Sequence, residues 1–274
     1  MLTRILVAVV LAPLFFVVLF FLPPIWLTVL MSAICALASF ELLRATRVAH
    51  HSGMYIYTAI AAALIPICCH FFDGYGGWQI RAVSLLLLST LFLLAIRLYG
   101  TERAIGFEQI MVCLFGGLMI PLSMSALIVL KEMNHGRFLV LLPVISAFLT
   151  DAGAYFAGVF LGKHRGITKV SPNKSLEGYI GGVVAGALFM MLYGVALKTF
   201  WNVDVSFPVL ALWGLLGSAV TELGDLSFSL VKREYGIKDY GTILPGHGGM
   251  LDRFDSMIFA APMLLLLVET LPAF

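Results

Sequence analysis

Residues 5–40 read ILVAVVLAPLFFVVLFFLPPIWLTVLMSAICALASF, without one charged side chain. A helix of about 20 mostly apolar residues crosses a bilayer, so this stretch is long enough for two crossings. Proline cannot continue a helix but suits the first position of a new one. Pro23-Pro24 therefore reads as the tight turn of a helical hairpin. A signal peptide, suggested by Arg4 before the apolar run, does not fit. The apolar core is too long, and the prolines lead into a second apolar run where a small-residue cleavage site would stand.

The same pattern recurs along the 274 residues, 61% of which are hydrophobic and 12% charged. The mean hydropathy is +1.02. A soluble domain carries about 25% charged residues, so an ordinary cytosolic enzyme, a disordered chain and a coiled coil are all excluded. An outer-membrane barrel would show strands of about ten alternating residues rather than continuous apolar blocks. The expected fold is all-α, a polytopic integral membrane protein of about nine spans. They are read near 5–22, 25–42, 55–72, 82–98, 110–130, 138–161, 176–197, 206–231 and 257–272. Cys35, Cys68, Cys69 and Cys113 lie inside apolar runs with no Cys-x-x-Cys spacing, and read as small buried hydrophobes rather than a disulfide or zinc set.

Basic residues orient the chain. With nine alternating spans, one side receives Arg4, Arg44, Arg47, Arg97, Arg103, Lys163, Arg165, Lys169, Lys174, Lys232, Arg233, Lys238 and Arg253. The other receives Arg81, Lys131, Arg137 and Lys198. The asymmetry places the N-terminus in the cytoplasm and the C-terminus outside. Charges are sparse before residue 150 and dense from 151 to 255. The expected organisation is a scaffold of N-terminal spans, 1–137, and a catalytic region, 138–274, with cytoplasmic loops 163–175 and 232–255.

Three carboxylates, Asp151, Glu222 and Asp225, fall within apolar spans. Each would cost about 2.5–3.5 kcal/mol at a helix centre, so either they face a polar cavity with partners or a metal, or they form ion pairs that hold helices together. Glu222, Asp225 and Ser229, spaced by three and four residues, share one helix face, which continues to Lys232 and Arg233. Asp252 and Asp255 are again three apart, at the start of the last apolar run, where the helix dipole favours acids. With Asp225 they offer oxygen ligands for a hard cation such as magnesium, which typically adds substrate phosphate and water to one or two carboxylates. Between these pieces lies Pro245-Gly246-His247-Gly248-Gly249. Dense glycines suit either a phosphate cradle or a flexible re-entrant turn, and His247 either contacts phosphate or caps the turn. The loop from Lys163 to Ser175, with four basic residues and no acid, is either a solvated positive-inside loop or a surface for an anionic nucleotide.

The stretch Ser229-Leu-Val-Lys232-Arg233-Glu-Tyr-Gly-Ile-Lys238-Asp239-Tyr-Gly-Thr-Ile-Leu-Pro245-Gly-His247-Gly-Gly-Met-Leu-Asp252-Arg253-Phe-Asp255 resembles the signature of the phosphatidate cytidylyltransferase, or CDP-diacylglycerol synthase, family. A second block fits as well, from Asp151-Ala-Gly-Ala-Tyr155 through Lys169-Val-Ser171-Pro172-Asn-Lys174-Ser175-Leu-Glu-Gly178, as does Gly224-Asp225. Two positions depart from the usual pattern, Ala152 for Ser or Thr and Ser175 for Thr. The similarity covers about residues 140–260; the front half matches only in hydropathy.

The resemblance implies joining of phosphatidate to CTP, giving CDP-diacylglycerol and pyrophosphate, with Mg2+ required and a second cation left open. It assigns Asp225, Asp252 and Asp255 as metal ligands and Lys232, Arg233, Lys238 and Arg253 to phosphates. Asp239 and Ser229 become supporting or binding residues. Lys169, Ser171, Lys174 and Ser175, with His247, Gly248 and Gly249, would hold CTP phosphates or the lipid headgroup. The implied partners are CTP, phosphatidate and membrane lipid, with no nucleic acid. The implied location is a bacterial-type inner membrane with the active site facing the cytoplasm. An ion-coupled transporter would share the intramembrane acids but not the basic loops beside Asp252 and Asp255. A CDP-alcohol phosphotransferase would need an Asp-Gly…Ala-Arg motif that is missing. Gly178, Gly182 and Gly186 form a small-residue stripe that allows close helix approach, either within the monomer or in a homodimer.

Overall fold

Among the described residues, helix covers each stretch that the apolar pattern marked. In the computed structural model, which describes residues 2–47, 52–72, 74–243, 246 and 248–274, the helices are α1 (Leu2–Phe20), α2 (Pro24–Thr46), α3 (Ser52–Phe71), α4 (Trp78–Leu98), α5 (Phe107–Glu132), α6 (Gly136–Phe160), α7 (Leu176–Trp201), α8 (Phe207–Glu234) and α9 (Leu251–Thr270). About 79% of the chain is helical and no strand occurs among the described residues. Among the described residues seven helices, α2 to α8, are long and apolar enough to cross a membrane. The fold is that of an all-α polytopic membrane protein.

Helix ends follow local chemistry. Pro24 opens α2 directly after Pro23, at φ −56°, where a missing N–H is no loss. Gly106 precedes α5, and its N–H donates to Gln109 Oε1 at 2.8 Å. Ser175 caps α7, its Oγ accepting from the Gly178 N–H at 3.1 Å, as N-cap hydroxyls do. At the other end of α7, Asn202 takes the left-handed conformation, φ 52°, which Asn tolerates well. Two helices widen into π-turns, α5 at Phe115–Met119 and α6 at Ile145–Leu149.

The chain divides into two compact units, Met1–Arg137 with Tyr235–Phe254, and Phe138–Glu234 with Asp255–Phe274. Residues 235–254 group with the first unit and 255–274 with the second. In that unit α2 packs along α3, and α5 along both. Leu43, Met54, Leu87, Leu91 and Ile110 form one buried cluster, and Ile65, Cys68, Cys69 and Ile80 a second. The Tyr57 hydroxyl ties α3 to α4, donating to Leu86 O at 3.0 Å and Thr90 Oγ1 at 2.8 Å. All four cysteines are free and buried.

In the second unit α7 packs against α6 and α8. The glycine stripe makes that possible. A Cβ on Gly186 would lie 1.7 Å from Ser218 Oγ, and one on Gly182 would lie 2.8 Å from Glu222 Oε1 and 3.0 Å from Ala154 Cβ. The stripe is thus filled within the chain. Beside it runs a buried polar seam, with Thr150 Oγ1 donating to Ser218 Oγ at 2.7 Å and Ser146 Oγ 3.3 Å from Thr221 Oγ1. Interhelical hydrogen bonds of this kind contribute about 0.6 kcal/mol each on average, so close packing carries more of the cohesion than the seam does.

Candidate active site

The loop between α6 and α7 is not a loose run of basic residues. An antiparallel bridge joins Arg165 to Ser175, the Leu176 N–H donates to His164 O at 3.0 Å, and the Gly166 N–H to Lys174 O at 3.3 Å. His164 Nδ1 lies 2.6 Å from Glu177 Oε1. At the far end of α8, Arg233 Nε donates to Val170 O at 3.3 Å. These bonds turn the end of the loop inward and aim Lys174 at α8. Its Nζ stands 2.9 Å from Glu222 Oε2 and 2.6 Å from Asp225 Oδ2, and 5.2 Å over the Tyr179 ring.

Two carboxylates on one helix face thus share one ammonium. Burial opposes the charge on Lys174, but the carboxylates of Glu222 and Asp225 outweigh it and hold the lysine above its usual pKa range. Glu222 is 5% exposed, and its Oε1 has no hydrogen-bond partner among the described residues. Around the triad opens a cavity of about 440 Å³. Arg165, Asn173 and Lys174 line it from the loop, Asp151 and Tyr155 from α6, and Tyr179 from α7. Asp151 is exposed to this space. The cavity combines cations that attract phosphate, acids that attract cations, and an apolar wall.

Further along the second unit, Lys232 Nζ lies 3.7 Å from Asp255 Oδ2, whose Oδ1 accepts from the Ser256 N–H at 2.8 Å. Gly224, just before Asp225, lets α8 approach α9. A Cβ there would come within 3.1 Å of Phe259 and 3.2 Å of the Asp255 carbonyl.

The first unit holds a second acidic group. Asp252 is 7% exposed, and its Oδ2 accepts from the Tyr240 N–H at 2.8 Å and the Gly249 N–H at 3.0 Å. Gly248 adopts φ +87°, with its missing Cβ 3.0 Å from Asp252 Oδ2 and 3.4 Å from Asp239 Oδ1. Only glycine occupies that conformation without strain. Glu41, at the end of α2, is 2% exposed, and its Oε2 accepts from the Leu251 N–H at 2.8 Å.

The expected site residues sort as follows. Lys174 and Asp225 meet in the cavity, and Lys232 meets Asp255, all in the second unit. Asp239, Gly248, Gly249 and Asp252 come together in the first. Ser175 lines the cavity and caps α7. Ser229 is half-buried on α8, Ser171 is half-buried in the loop, and Lys169, Arg233, Lys238 and Arg253 are exposed. His247 lies outside the described residues. Glu41, Arg165 and Asn173 were not among the expected site residues. Arg165 and Asn173 stood in the quoted basic loop, while Glu41 carried one weak signal, an acid closing a long uncharged run. Among the described residues no three His, Cys, Asp or Glu side chains gather closely enough to hold a metal ion.

The sequence model of the cytidylyltransferase family matches residues 2–271. A phosphatidate cytidylyltransferase of Bacillus subtilis (strain 168) is 32% identical over 246 residues, 88% of each chain. One of Staphylococcus haemolyticus is 32% identical over 216 residues, 78% of each chain. One of Staphylococcus aureus is 42% identical over 140 residues, 50% of this chain and 52% of that protein.

Proposed function

The chain belongs to the cytidylyltransferase family, and from that membership we propose that it converts phosphatidate and CTP to CDP-diacylglycerol and pyrophosphate. A lipid phosphate oxygen attacks the α-phosphorus of CTP in line, a new P–O–P bond forms, and the bond to the β-phosphate breaks, releasing pyrophosphate. The nucleophile arrives as an ionised phosphate, so no side chain has to activate it. The protein has to bring two polyanions together and stabilise the charge that develops on the leaving group.

The observation that carries this reading is Lys174, seated between Glu222 and Asp225 in a cavity among apolar spans. In the proposed reaction Lys174, Arg165 and Asn173 bind phosphate oxygens. Lys232, Arg233, Lys238 and Arg253 lower the electrostatic barrier to phosphate approach, with Lys169 and Ser171 assisting from the loop. Asp225 and Asp255 in the second unit, and separately Asp252 in the first, are the acids proposed to take part in Mg2+ binding. Their oxygens are the donor type a hard cation takes, and magnesium usually needs only one or two protein carboxylates beside substrate phosphate and water. The donor chemistry therefore suits the ion without a three-acid cage. When bound, it supplies charge neutralisation at the pyrophosphate.

CTP is a cytoplasmic solute and the acyl chains lie in the bilayer. A cytoplasm-facing site in the inner membrane, with the N-terminus inside, meets both needs and agrees with the distribution of basic residues. The test is purified protein with labelled CTP, phosphatidate and Mg2+. The expected result is CDP-diacylglycerol and pyrophosphate in equal amounts, dependent on lipid. Pyrophosphate release without lipid, or no product in any detergent or vesicle, would overturn the proposal.

A further inference from the structure

We propose that Glu41 is a positioning residue, the clamp that holds the backbone at Gly241 and at Gly249–Leu251 and with it Asp252. Its carboxylate sits at the end of α2, some 200 residues away in sequence, and is 2% exposed. Around it the backbone of the segment closes from two sides. A Cβ on Gly241 would lie 2.3 Å from Glu41 Oε1, and one on Gly249 would lie 2.5 Å from Oε2. A side chain at either place would have to push the Glu41 carboxylate aside, so both glycines fit the position of the acid they enclose.

The bonds point the same way. Glu41 Oε2 accepts the Leu251 N–H at 2.8 Å, at the first residue of α9, where helix N–H groups have no partner within the helix. The next residue is Asp252, whose Oδ2 gathers the N–H groups of Tyr240 and Gly249. Two acids thus hold opposite sides of one loop, and the backbone shared through Gly249 and Leu251 couples them. Glu41 Oε1 has no hydrogen-bond partner among the described residues. Glu41 acts through the backbone at Gly249 and Leu251 on Asp252.

The proposal rests on the reading of Asp252 as a residue of the nucleotidyl-transfer site, so the experiment has one arm that does not depend on activity. Amide hydrogen exchange is measured in the substrate-free, metal-free protein for wild type, Glu41→Ala and Glu41→Gln. In Glu41→Ala the Leu251 amide is expected to exchange about tenfold faster or more, as loss of a hydrogen bond to a charged acceptor implies. The amides of α7 and α8 should be unchanged. Glu41→Gln keeps an acceptor oxygen and should keep Leu251 protected, which also covers the case in which the Ala variant fails to fold. The second arm is the Mg2+ concentration giving half-maximal rate. It should rise about tenfold in Glu41→Ala and return to the wild-type value in Glu41→Gln. A merely structural defect lowers the active fraction and leaves that midpoint in place. Unchanged Leu251 exchange in Glu41→Ala would overturn the clamp, and a lower rate at an unchanged midpoint would overturn the positioning role. A wild-type protein without transferase activity would refute the functional reading while leaving the exchange result to be judged separately.

Discussion

Replacing Lys174 by Met removes the ammonium but keeps most of the side chain's length and apolar stem. Glu222 and Asp225 are then left facing one cavity without the cation that both now touch. Breaking a fully buried ion pair by deleting one partner destabilises by about 3–5 kcal/mol. Here the side chains of Lys174 and Asp225 are 28% and 26% exposed, against 6% for Glu222. Water therefore screens the Asp225 arm, and about 2–3 kcal/mol is the reasonable expectation. At about 2–4 °C per kcal/mol for a chain near this size, Tm falls by roughly 4–12 °C. The double variant Lys174→Met/Glu222→Gln removes the stranded buried charge as well and should recover about half of that loss. The assay is thermal unfolding of the four proteins of the cycle in one detergent. A Lys174→Met protein that melts within about 1 °C of wild type, or strictly additive single variants, would refute the shared-cation argument. The pH dependence has a definite sign. Lys174 is held above its ordinary pKa, so its stabilisation is fully present below the unfolded value of about 10.4. It is lost only as pH rises through the folded value, and the gap between wild type and Lys174→Met should be flat from about pH 6 to 9.

Asp→Asn at 225, 252 or 255 keeps shape and removes charge; if these residues stabilise developing charge, each lowers the initial rate of CDP-diacylglycerol formation about 100- to 1000-fold. Asp204, which is exposed and belongs to no expected site, should tolerate Asn with less than about a twofold change. Gly186→Ala drives a methyl to 1.7 Å from Ser218 Oγ and should destabilise by about 1–3 kcal/mol as other overpacked cores do, measured as a lower Tm; unchanged melting would mean that α7 and α8 separate freely. A cysteine introduced at an exposed position of the 163–174 loop should react only with reagent on the cytoplasmic side, while a tag at the C-terminus should be reached from outside. Access to both from one side would remove the nine-span topology.

The helices were legible because the bilayer leaves the backbone few options. A long uncharged run must satisfy its N–H and C=O groups internally, and that constraint needs no knowledge of what the helix packs against. Local spacing was legible for the same reason. Glu222 and Asp225, three residues apart, necessarily share a face, and both do reach Lys174. The stripe of Gly178, Gly182 and Gly186 announced close approach but not its object, since a small residue records only that something comes near. In the chain it is α6 and α8. Glu41 was missed because what makes it matter, the pinch of Gly241 and Gly249, lies far along the sequence. The 232–255 signature marked the loop as special without naming the residue of α2 that anchors it.

Lys174 shows the limit most clearly. As one basic residue in a basic loop it was expected to hold phosphate, and nothing in its neighbours ties it to acids 48 and 51 positions away. The geometry makes it a shared group. An anionic substrate entering the cavity has to draw the ammonium partly away from Glu222 and Asp225, whose charges must then be met by something else. Arg165, on the same cavity wall, can meet part of the substrate's charge but not that of the acids beneath. In the proposed reaction, binding phosphate at Lys174 and neutralising Asp225 therefore become one coupled event. A substrate that arrives with its own counter-cation satisfies both demands at once, whereas a bare phosphate satisfies only one. On the proposed function, this coupling accounts for two carboxylates at the centre of a cavity that receives polyanions.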